Sequence, residues 1–599
     1  MTELSLDFAS LRRGYASGAL TPVGVANECL RRADAYADPA VWITRAPADK
    51  VLERAEWLAA RKELAATLPL YGIPFAVKDN IDCARLPTTA ACPAFAHTPE
   101  RNATVVTRLI DAGAILIGKT NLDQFATGLV GTRSPLGAPR SVFNAEYISG
   151  GSSSGSAVAV AAGLVSISLG TDTAGSGRVP AAFNNIVGVK PTRGLLSATG
   201  VVPACRSLDC VSVFALTISD ASAVRAVAEA YDAADPYSRV AARRALPTEY
   251  FRFGILAERA REFFGNADYA SLYRAAIENL KALGGEAVEI DFAPFRETGA
   301  LLYDGPWVAE RYAAIKSFIA EHEEAMDPTV RRIITGARKL SATAAFEGQY
   351  RLAALKQKAD AEWQRADVLL LPTVPTHYKV SEVEADPIET NKRLGLYTNF
   401  VNLLDYCAVA VPAGFGANGL PFGVTLIAPA FADASLAVIA DRLHKRVEAG
   451  LGKNRGAPIE SPPPKAPAPE TIEIFVVGAH LSGMPLNHEL TALGGRLSRA
   501  ANTAPCYRLL VLPNSTPPKP GLLRTSATQA NGIAGEVWSL TPEAFGRFVA
   551  KIPAPLGIGK LALEDGTEVS GFLCEAFALD GAKEITALGG WRRYVETLR

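Results

Sequence analysis

Residues 150–157 read Gly-Gly-Ser-Ser-Ser-Gly-Ser-Ala, and residues 170–180 read Gly-Thr-Asp-Thr-Ala-Gly-Ser-Gly-Arg-Val-Pro. Between them, residues 158–164 predict a helix of small side chains and residues 166–169 a buried strand. This succession of loop, helix, strand and turn predicts an α/β fold with a sheet covered by helices. The turn after the strand presents Ser176 beside several backbone N–H groups, an arrangement typical of an oxyanion hole.

A third segment precedes these two and ends in a lysine. Residues 72–80 read Gly-Ile-Pro-Phe-Ala-Val-Lys-Asp-Asn, so that Lys78 follows an apolar run. We expect it to leave a strand into a poorly solvated place. Because desolvation disfavours an ammonium ion, the pKa of Lys78 should fall and the amine could act as a neutral base near pH 7.

Two segments match the letters of familiar catalytic or binding motifs, but the residues around them do not fit the structure that each motif requires. Residues 113–120, Gly-Ala-Ile-Leu-Ile-Gly-Lys-Thr, match the phosphate-loop pattern, yet the residues between the glycines are strand-forming. Residues 151–155 match the nucleophile elbow of Ser-His-Asp hydrolases, which should follow a strand. No downstream histidine among His322, His377 and His444 has a recognisable active-site context. We therefore expect a strand end in the first case and no such triad in the second.

The three segments together resemble the amidase signature family, and the resemblance covers most of residues 1–457. It implies a central mixed sheet covered by helices and a Ser-Ser-Lys triad that needs no metal or organic cofactor. In that family the relay serine follows the Gly-Gly pair on a cis peptide. The resemblance makes Lys78 the base, Ser152 the relay and Ser176 the nucleophile. It also implies that the backbone amides of Thr173, Ala174, Gly175 and Ser176 form the oxyanion hole.

Further sequence details indicate which kind of amide the substrate is. Ala174 and Ser154 stand where many members have glycine, and residues 171–181 and 302–312 look like the allophanate hydrolases within the family. By this resemblance Tyr303 and Arg311 bind the substrate carboxylate, assisted by backbone near Gly128. A guanidinium can hold a small planar carboxylate through two hydrogen bonds. The alternative is that Arg311 pairs with a neighbouring acid, Glu310 or Asp304, on the surface.

A proline-rich run divides the chain. Residues 458–469 contain six prolines in 12 residues, which is typical of an extended spacer. We therefore predict a catalytic domain over 1–457, a linker over 458–470 and a small domain over 471–599. Strand-like runs at 472–477, 507–512 and 535–540, with few helices between them, predict an α+β fold for the small domain.

The opening of the small domain is similar to γ-glutamyl-cyclotransferase-like folds. In the allophanate hydrolases such a domain is associated with decarboxylating N-carboxycarbamate, the product left when the first domain releases ammonia. A proton delivered to nitrogen assists that loss of CO2, and histidine has a suitable pKa. His488 is the candidate acid/base, with His480 and Glu536 as weaker candidates. The alternative is that His488 only begins a helix.

Composition excludes several classes of protein. The chain has 599 residues, with 61 Lys plus Arg against 61 Asp plus Glu, so that nucleic acid and anionic membranes are disfavoured as partners. Its length predicts at least two domains. The N-terminus has no signal-peptide pattern, and the eight cysteines form no CxxC pair, which is typical of reduced thiols. We therefore expect a cytoplasmic location.

No methionine precedes a lysine, so the chain has no Ala-Met-Lys-Met biotin site. We expect the substrate allophanate to come from a separate urea carboxylase or from a biuret hydrolase. We also expect a homodimer. The alternatives are an aliphatic or indoleacetamide amidase with a structural C-terminal domain, and the amidase component of a tRNA-dependent amidotransferase. For the C-terminal segment alone, a dimerisation or docking module is also possible.

Overall fold

The structure is a computed structural model that describes residues 4–242, 244–464, 471–513 and 518–598. The chain forms two compact units, 1–467 and 468–599. The predicted linker, 458–470, contains this division. Its residues 465–470 lie outside the described residues, and residues 458–464 have no regular secondary structure. Within the first unit, Glu460 pairs with Arg13, and Lys445 Nζ donates to the carbonyl of Ser461.

The first unit is built on an eleven-stranded mixed sheet, which confirms the predicted fold class. The spatial order of the strands is β1-β3-β2-β4-β6-β5-β10-β11-β9-β7-β8. The strands are β1 Trp42–Arg45, β2 Pro74–Lys78, β3 Ile115–Thr120, β4 Ile167–Asp172, β5 Val187–Lys190, β6 Cys210–Ala215, β7 Phe251–Leu256, β8 Gly285–Ile290, β9 Val368–Pro372, β10 Tyr406–Phe415 and β11 Pro421–Pro429.

Sixteen α-helices of the described residues belong to this unit. They are α1 Phe8–Ser17, α2 Pro22–Ala35, α3 Ala48–Ala59, α4 Thr104–Asp111, α5 Ser154–Ala161, α6 Val179–Phe183, α7 Ile218–Ala228, α8 Ala267–Ala282, α9 Ala293–Asp304, α10 Trp307–His322, α11 Pro328–Thr335, α12 Ala342–Asp360, α13 Val380–Ala385, α14 Glu389–Leu394, α15 Phe400–Leu403 and α16 Asp433–Val447. Among the described residues, no helix is long and apolar enough to cross a membrane.

The helix predicted between the two glycine-rich loops is α5, although it begins at Ser154, earlier than expected. All eight of its residues are buried. A helix buried on every face needs small side chains, because neighbouring backbone approaches it closely. A Cβ on Gly155 would lie 2.4 Å from the carbonyl oxygen of Val41. The serines and glycines of this region therefore pack the helix and also form the loop before it.

The parallel strands β2 and β4 lie side by side, with Val77 aligned with Leu169. Their carboxyl ends therefore bring Lys78 next to Thr171 and the turn that follows. In sheets of parallel strands this edge is the usual place for a ligand. The fold thus gathers the lysine and the two glycine-rich loops in one region.

The second unit has the predicted α+β fold. Its five-stranded sheet has the order β13-β16-β12-β18-β17, and its three-stranded sheet has the order β15-β14-β19. The strands are β12 Ile472–Val476, β13 Arg496–Asn502, β14 Tyr507–Val511, β15 Pro520–Arg524, β16 Ala534–Leu540, β17 Leu556–Ala562, β18 Glu568–Cys574 and β19 Lys583–Glu584. The helices are α17 Asn487–Thr491, α18 Pro542–Val549 and α19 Trp591–Glu596.

The segment that matches a phosphate loop is a buried strand end, as the sequence predicts. Residues Ile115–Thr120 form β3, paired with β1 and β2. Lys119 is fully buried; its Nζ lies 3.1 Å from Asp79 Oδ1 and donates to the carbonyl of Pro87 and the hydroxyl of Thr88. This lysine is bound within the protein and is not directed towards a phosphate.

Lys119→Met should lower the free energy of unfolding by about 3–5 kcal/mol, because it leaves the carboxylate of Asp79 buried without its cation. Urea denaturation followed by circular dichroism measures this. Lys50→Met is the control, since Lys50 forms an exposed pair with Glu53 and should change stability very little. Equal effects of the two substitutions would contradict a structural role for Lys119.

Candidate active site

Lys78 and Ser152 are in direct contact at the carboxyl end of β2. Lys78 Nζ lies 2.7 Å from Ser152 Oγ and 2.8 Å from Thr171 Oγ1, and all three side chains are buried. Thr171 Oγ1 also accepts a hydrogen bond from Asn80 Nδ2 at 3.3 Å. Both partners of the lysine are hydroxyl groups, so no carboxylate contacts Lys78 directly among the described residues.

Burial lowers the pKa of Lys78 from 10.5 to about 7. The carboxylates of Asp123, Asp209 and Asp172 oppose this by favouring the ammonium form, and the Arg311 guanidinium adds to the lowering. Desolvation is the largest effect. The amine is therefore about half neutral at pH 7 and increasingly so above it, and the neutral form is the state that a general base requires.

The loop that carries Ser152 is held by the backbone N–H of Asp123, whose carboxylate lies against Gly151 and binds the neighbouring segment 131–133. The predicted cis peptide lies between Gly151 and Ser152. Asp123 accepts hydrogen bonds from the backbone N–H groups of Gly131 and Arg133, both at 3.0 Å, and the carbonyl of Ser152 accepts from the N–H of Asp123. A Cβ on Gly151 would lie 2.1 Å from Asp123 Oδ2. Only glycine leaves room for this carboxylate behind the relay serine.

A second carboxylate, that of Asp172, holds the turn that carries Ser176. It accepts from the backbone N–H groups of Gly175 at 3.0 Å and Gly177 at 2.9 Å, and from both Nε and Nη2 of Arg178. Burial opposes ionisation here, but Arg178 and these hydrogen bonds hold the pKa of Asp172 below its usual range. The ion pair therefore fixes the backbone on both sides of the nucleophile candidate.

Three of the four amides predicted for the oxyanion hole are free. Among the described residues, the N–H groups of Thr173, Ala174 and Ser176 have no hydrogen-bond acceptor. The N–H of Gly175 instead donates to Asp172. That engagement corrects the prediction for Gly175, whose contribution is its backbone shape. Its φ is +141°, and a Cβ there would lie 2.5 Å from Thr398 Oγ1.

Ser176 lies beside Gly128 and is 3% exposed. Its Oγ donates to the carbonyl of Gly128 at 3.5 Å, and no hydrogen bond joins it to Ser152 Oγ in the described part of the chain. The structure thus brings Lys78 and Ser152 together as predicted and leaves the hydroxyl of Ser176 directed to Gly128.

Arg311 and Tyr303 meet as a pair beside this centre. The guanidinium carbon of Arg311 lies 5.5 Å from the centre of the Tyr303 ring, and Nη1 of Arg311 donates to Thr127 Oγ1 at 3.2 Å. Arg311 Nε, Arg311 Nη2 and Tyr303 Oη are buried and have no hydrogen-bond partner among the described residues. Unsatisfied buried donors are costly, so this group is well suited to receive an anion.

The alternative in which Arg311 pairs with a surface acid is wrong. The carboxylate of Glu310 accepts from the N–H and hydroxyl of Ser207, and Asp304 lies 4.0 Å from Lys392 Nζ. Arg311 itself is 2% exposed. Burial opposes the charged form of Arg311, but its interactions with Cys205 and Tyr303, followed by those with Asp209 and Glu310, raise its pKa overall.

Sequence reasoning missed the acids that support the site. Asp172 lies within a segment that the sequence singles out, but its role was not predicted, although an Asp six residues before an Arg is a visible signal. Asp209 had no such signal. It accepts from Thr173 Oγ1 and from the N–H groups of Ala204 and Cys205, and burial raises its pKa to about 6. It lies beside residues 173–176, which we call the oxyanion turn, because β4 pairs with β6, with Asp172 opposite Cys210.

His377, one of the histidines that the elbow motif could have used, is engaged in packing. His377 stacks on Phe183 with ring centres 3.8 Å apart, its Nε2 contacts the carbonyl of Ile148, and burial lowers its pKa to about 4. It is a packed core residue.

The two candidate histidines of the second unit, His488 and His480, lie in different surroundings. His488 is exposed in the first turn of α17, where its Nδ1 contacts the carbonyl of Pro485 at 2.9 Å. His480 is half-buried, stacks on Phe572 and lies 3.0 Å from Glu489 Oε2, at the wall of a cavity of about 260 Å³.

Glu536 is engaged by several donors of the second unit. It accepts from the N–H and the hydroxyl of Ser482, and from the side chains of Trp538 and Arg592. Burial opposes its ionisation, but these hydrogen bonds lower its pKa. It is therefore a bound carboxylate with little capacity for proton transfer.

Comparison with known proteins identifies the family. The family model described as Amidase matches residues 25–437. The chain belongs to the amidase family. The model described as allophanate hydrolase C-terminal domain matches residues 472–596 of this amidase-family chain. The predicted family is confirmed, and so is the predicted resemblance of the second unit to the C-terminal domain of allophanate hydrolases.

The relatives of this amidase-family chain include proteins that match it along both units. It is 44% identical to a urea amidolyase of Saccharomyces cerevisiae over 93% of its own length, but it spans 31% of that relative. The structure of a Kluyveromyces lactis allophanate hydrolase is 42% identical, with a TM-score of 0.79, over 98% of this chain and 99% of that one. A glutamyl-tRNA(Gln) amidotransferase component of Symbiobacterium thermophilum is 37% identical over 73% of the chain and 95% of that relative.

Proposed function

We propose that the chain hydrolyses allophanate to ammonia and CO2. The observation that carries this proposal is a set of buried donors beside a Ser-Ser-Lys centre, Nε and Nη2 of Arg311 and the hydroxyl of Tyr303, which have no hydrogen-bond partner among the described residues. Allophanate is urea bearing one carboxylate, so it offers an anion for that pair and an amide for the serine. An uncharged amide would leave the buried donors unsatisfied, which costs about 1–3 kcal/mol for each group. The likeness to the Kluyveromyces lactis allophanate hydrolase supports the same choice.

In the first half of the reaction, neutral Lys78 takes the proton of Ser152, and Ser152 takes that of Ser176. The Ser176 oxygen then attacks the terminal carbonyl carbon. The free amides of Thr173, Ala174 and Ser176 stabilise the negative oxygen of the tetrahedral intermediate. The proton returns along the relay to the terminal nitrogen, which leaves as ammonia, and an acyl group remains on Ser176.

In the second half, water is activated through the same relay and attacks the acyl group. The ester bond to Ser176 breaks, and N-carboxycarbamate is released. Protonation of its nitrogen assists loss of CO2 and gives carbamate, which decomposes to ammonia and CO2. Allophanate, one water and one proton thus yield two molecules of ammonia and two of CO2.

We assign the protonation of N-carboxycarbamate to the second unit, with His488 as the acid/base. Its exposure leaves it accessible to a released product. His480 is the competing candidate, because it lies beside Glu489 at a cavity wall. Burial lowers the pKa of His480, which makes it a weaker base but a readier proton donor.

The remaining assignments are proposals of the same kind. We propose that a urea carboxylase or a biuret hydrolase supplies the allophanate, that the chain works in the cytoplasm and that it forms a homodimer. The relatives named urea amidolyase support a link to urea.

The rate should depend on pH through Lys78. Because the neutral amine is the active form and its pKa is about 7, kcat/KM should fall about tenfold per pH unit below that value and level off above it. Lys78→Ala should lower kcat by about 10⁴-fold or more while the circular dichroism spectrum stays unchanged. A rate that is constant between pH 5 and 8, or substantial turnover by the variant, would contradict the role of Lys78.

Arg311→Gln should raise KM for allophanate by about 10- to 100-fold, because a charged hydrogen-bonding partner of the carboxylate is lost. Turnover of an uncharged amide should change much less. Lys316→Gln, an exposed residue of the same helix, is the control. Steady-state kinetics with both substrates decide the matter, and equal effects on them would favour a general aliphatic amidase.

His488→Ala should leave the first release of ammonia unchanged but strongly lower the CO2 released per ammonia in the first turnovers, because a general acid contributes about 10²- to 10⁴-fold. His480→Ala is the matched variant. An effect of His480→Ala alone would transfer the role to that residue, and no effect of either would leave the second unit as a structural module.

A further inference from the structure

A cavity of about 550 Å³ opens beside the Arg311–Tyr303 pair. It lies between α9, the region of α11 and helix α14. The polar residues of its wall include Tyr303 and Asn399. The wall also carries more cations than acids: the cations are Arg133, Arg332, Lys339 and Lys392, and the acids are Asp304 and Glu389. Apart from Tyr303, none of the residues assigned to the reaction lines it.

The acids of the cavity are balanced by neighbouring cations. Asp304 faces Lys392 at 4.0 Å, and Glu389 accepts from Arg393 Nε at 3.1 Å. Arg133, which is deeply buried, lies close to the carboxylate of Asp123. The charges of these groups therefore largely cancel.

Two cations of the cavity remain unbalanced. The side chains of Arg332 and Lys339 are exposed and make no hydrogen bond or ion pair within the described ranges of the chain. They face the cavity from helix α11 and from the turn after it. An excess of positive charge at the mouth of a concave, low-dielectric region attracts anions and raises their local concentration.

The inner end of the cavity offers unsatisfied polar groups. Tyr303 Oη and Asn399 Oδ1 are buried and have no hydrogen-bond partner among the described residues. Asn391, also on the wall, holds the backbone N–H of Leu129 through its Oδ1 at 2.7 Å. Leu129 follows Gly128, whose carbonyl accepts from Ser176. One residue of the cavity wall, Asn391, thus holds the backbone next to the glycine that contacts Ser176.

We propose that this cavity is the access vestibule of the active site, in which Arg332 and Lys339 attract a carboxylate-bearing substrate and deliver it to Tyr303 and Arg311. This inference rests on the proposed function. It adds that selection for a negative charge begins at the protein surface, before the substrate reaches the buried guanidinium. The two cations act by long-range attraction, so their effect should be sensitive to salt.

The test is the double variant Arg332→Gln with Lys339→Gln, assayed with allophanate at about 0.01 M and about 1 M salt, where the Debye length is about 30 Å and 3 Å. At low salt kcat/KM should fall about three- to tenfold, at high salt it should match the wild type, and kcat should not change. The kcat/KM for an uncharged amide should be unaffected at either salt concentration.

The control is Lys62→Gln with Arg101→Gln, which removes two exposed cations that do not line the cavity. A vestibule variant that behaves like this control at low salt, while the wild type hydrolyses allophanate normally, would overturn the vestibule alone. A wild-type chain that does not hydrolyse allophanate would overturn the proposed function as well.

Discussion

The burial of Lys78 without a contacting carboxylate is the constraint on which the site depends. A buried amine beside an acid would form an ion pair and stay protonated. Here its two nearest partners are the hydroxyls of Ser152 and Thr171. Its neighbouring acids are engaged elsewhere, since Asp123 binds backbone N–H groups and Asp172 binds Arg178. The site is thus arranged to keep an amine neutral in a protein interior.

The same acids explain why the loops are so rich in glycine. The Asp172 carboxylate binds the backbone on both sides of Ser176, and the Asp123 carboxylate lies so close to Gly151 that no space is left for a Cβ there. The backbone geometry of the candidate site therefore depends on two buried carboxylates, those of Asp123 and Asp172, and on the N–H groups that they bind. The substrate selectivity that we propose depends instead on a buried cation, Arg311, whose Nε and Nη2 have no hydrogen-bond partner among the described residues.

Much of this could be predicted from the sequence, because Lys78, Ser152 and Ser176 lie in local patterns with unusual composition. The strand end at Lys119 could also be predicted, since its neighbours are strand-forming. What could not be predicted depends on contacts distant in sequence. Asp209 reaches the oxyanion turn only through the pairing of two antiparallel strands. The hydrogen bond from the N–H of Gly175 could not be predicted either, because it depends on the direction of the Asp172 side chain, which no sequence pattern reveals.

The direct test of the central claim is mass spectrometry of the protein after a short pulse of allophanate and rapid acid quenching. The account predicts a covalent acyl adduct on the peptide that contains Ser176, absent from Ser176→Ala and from Lys78→Ala. An unmodified Ser176 peptide during rapid turnover, or an adduct on a different residue, would contradict a nucleophilic serine activated by a neutral buried lysine.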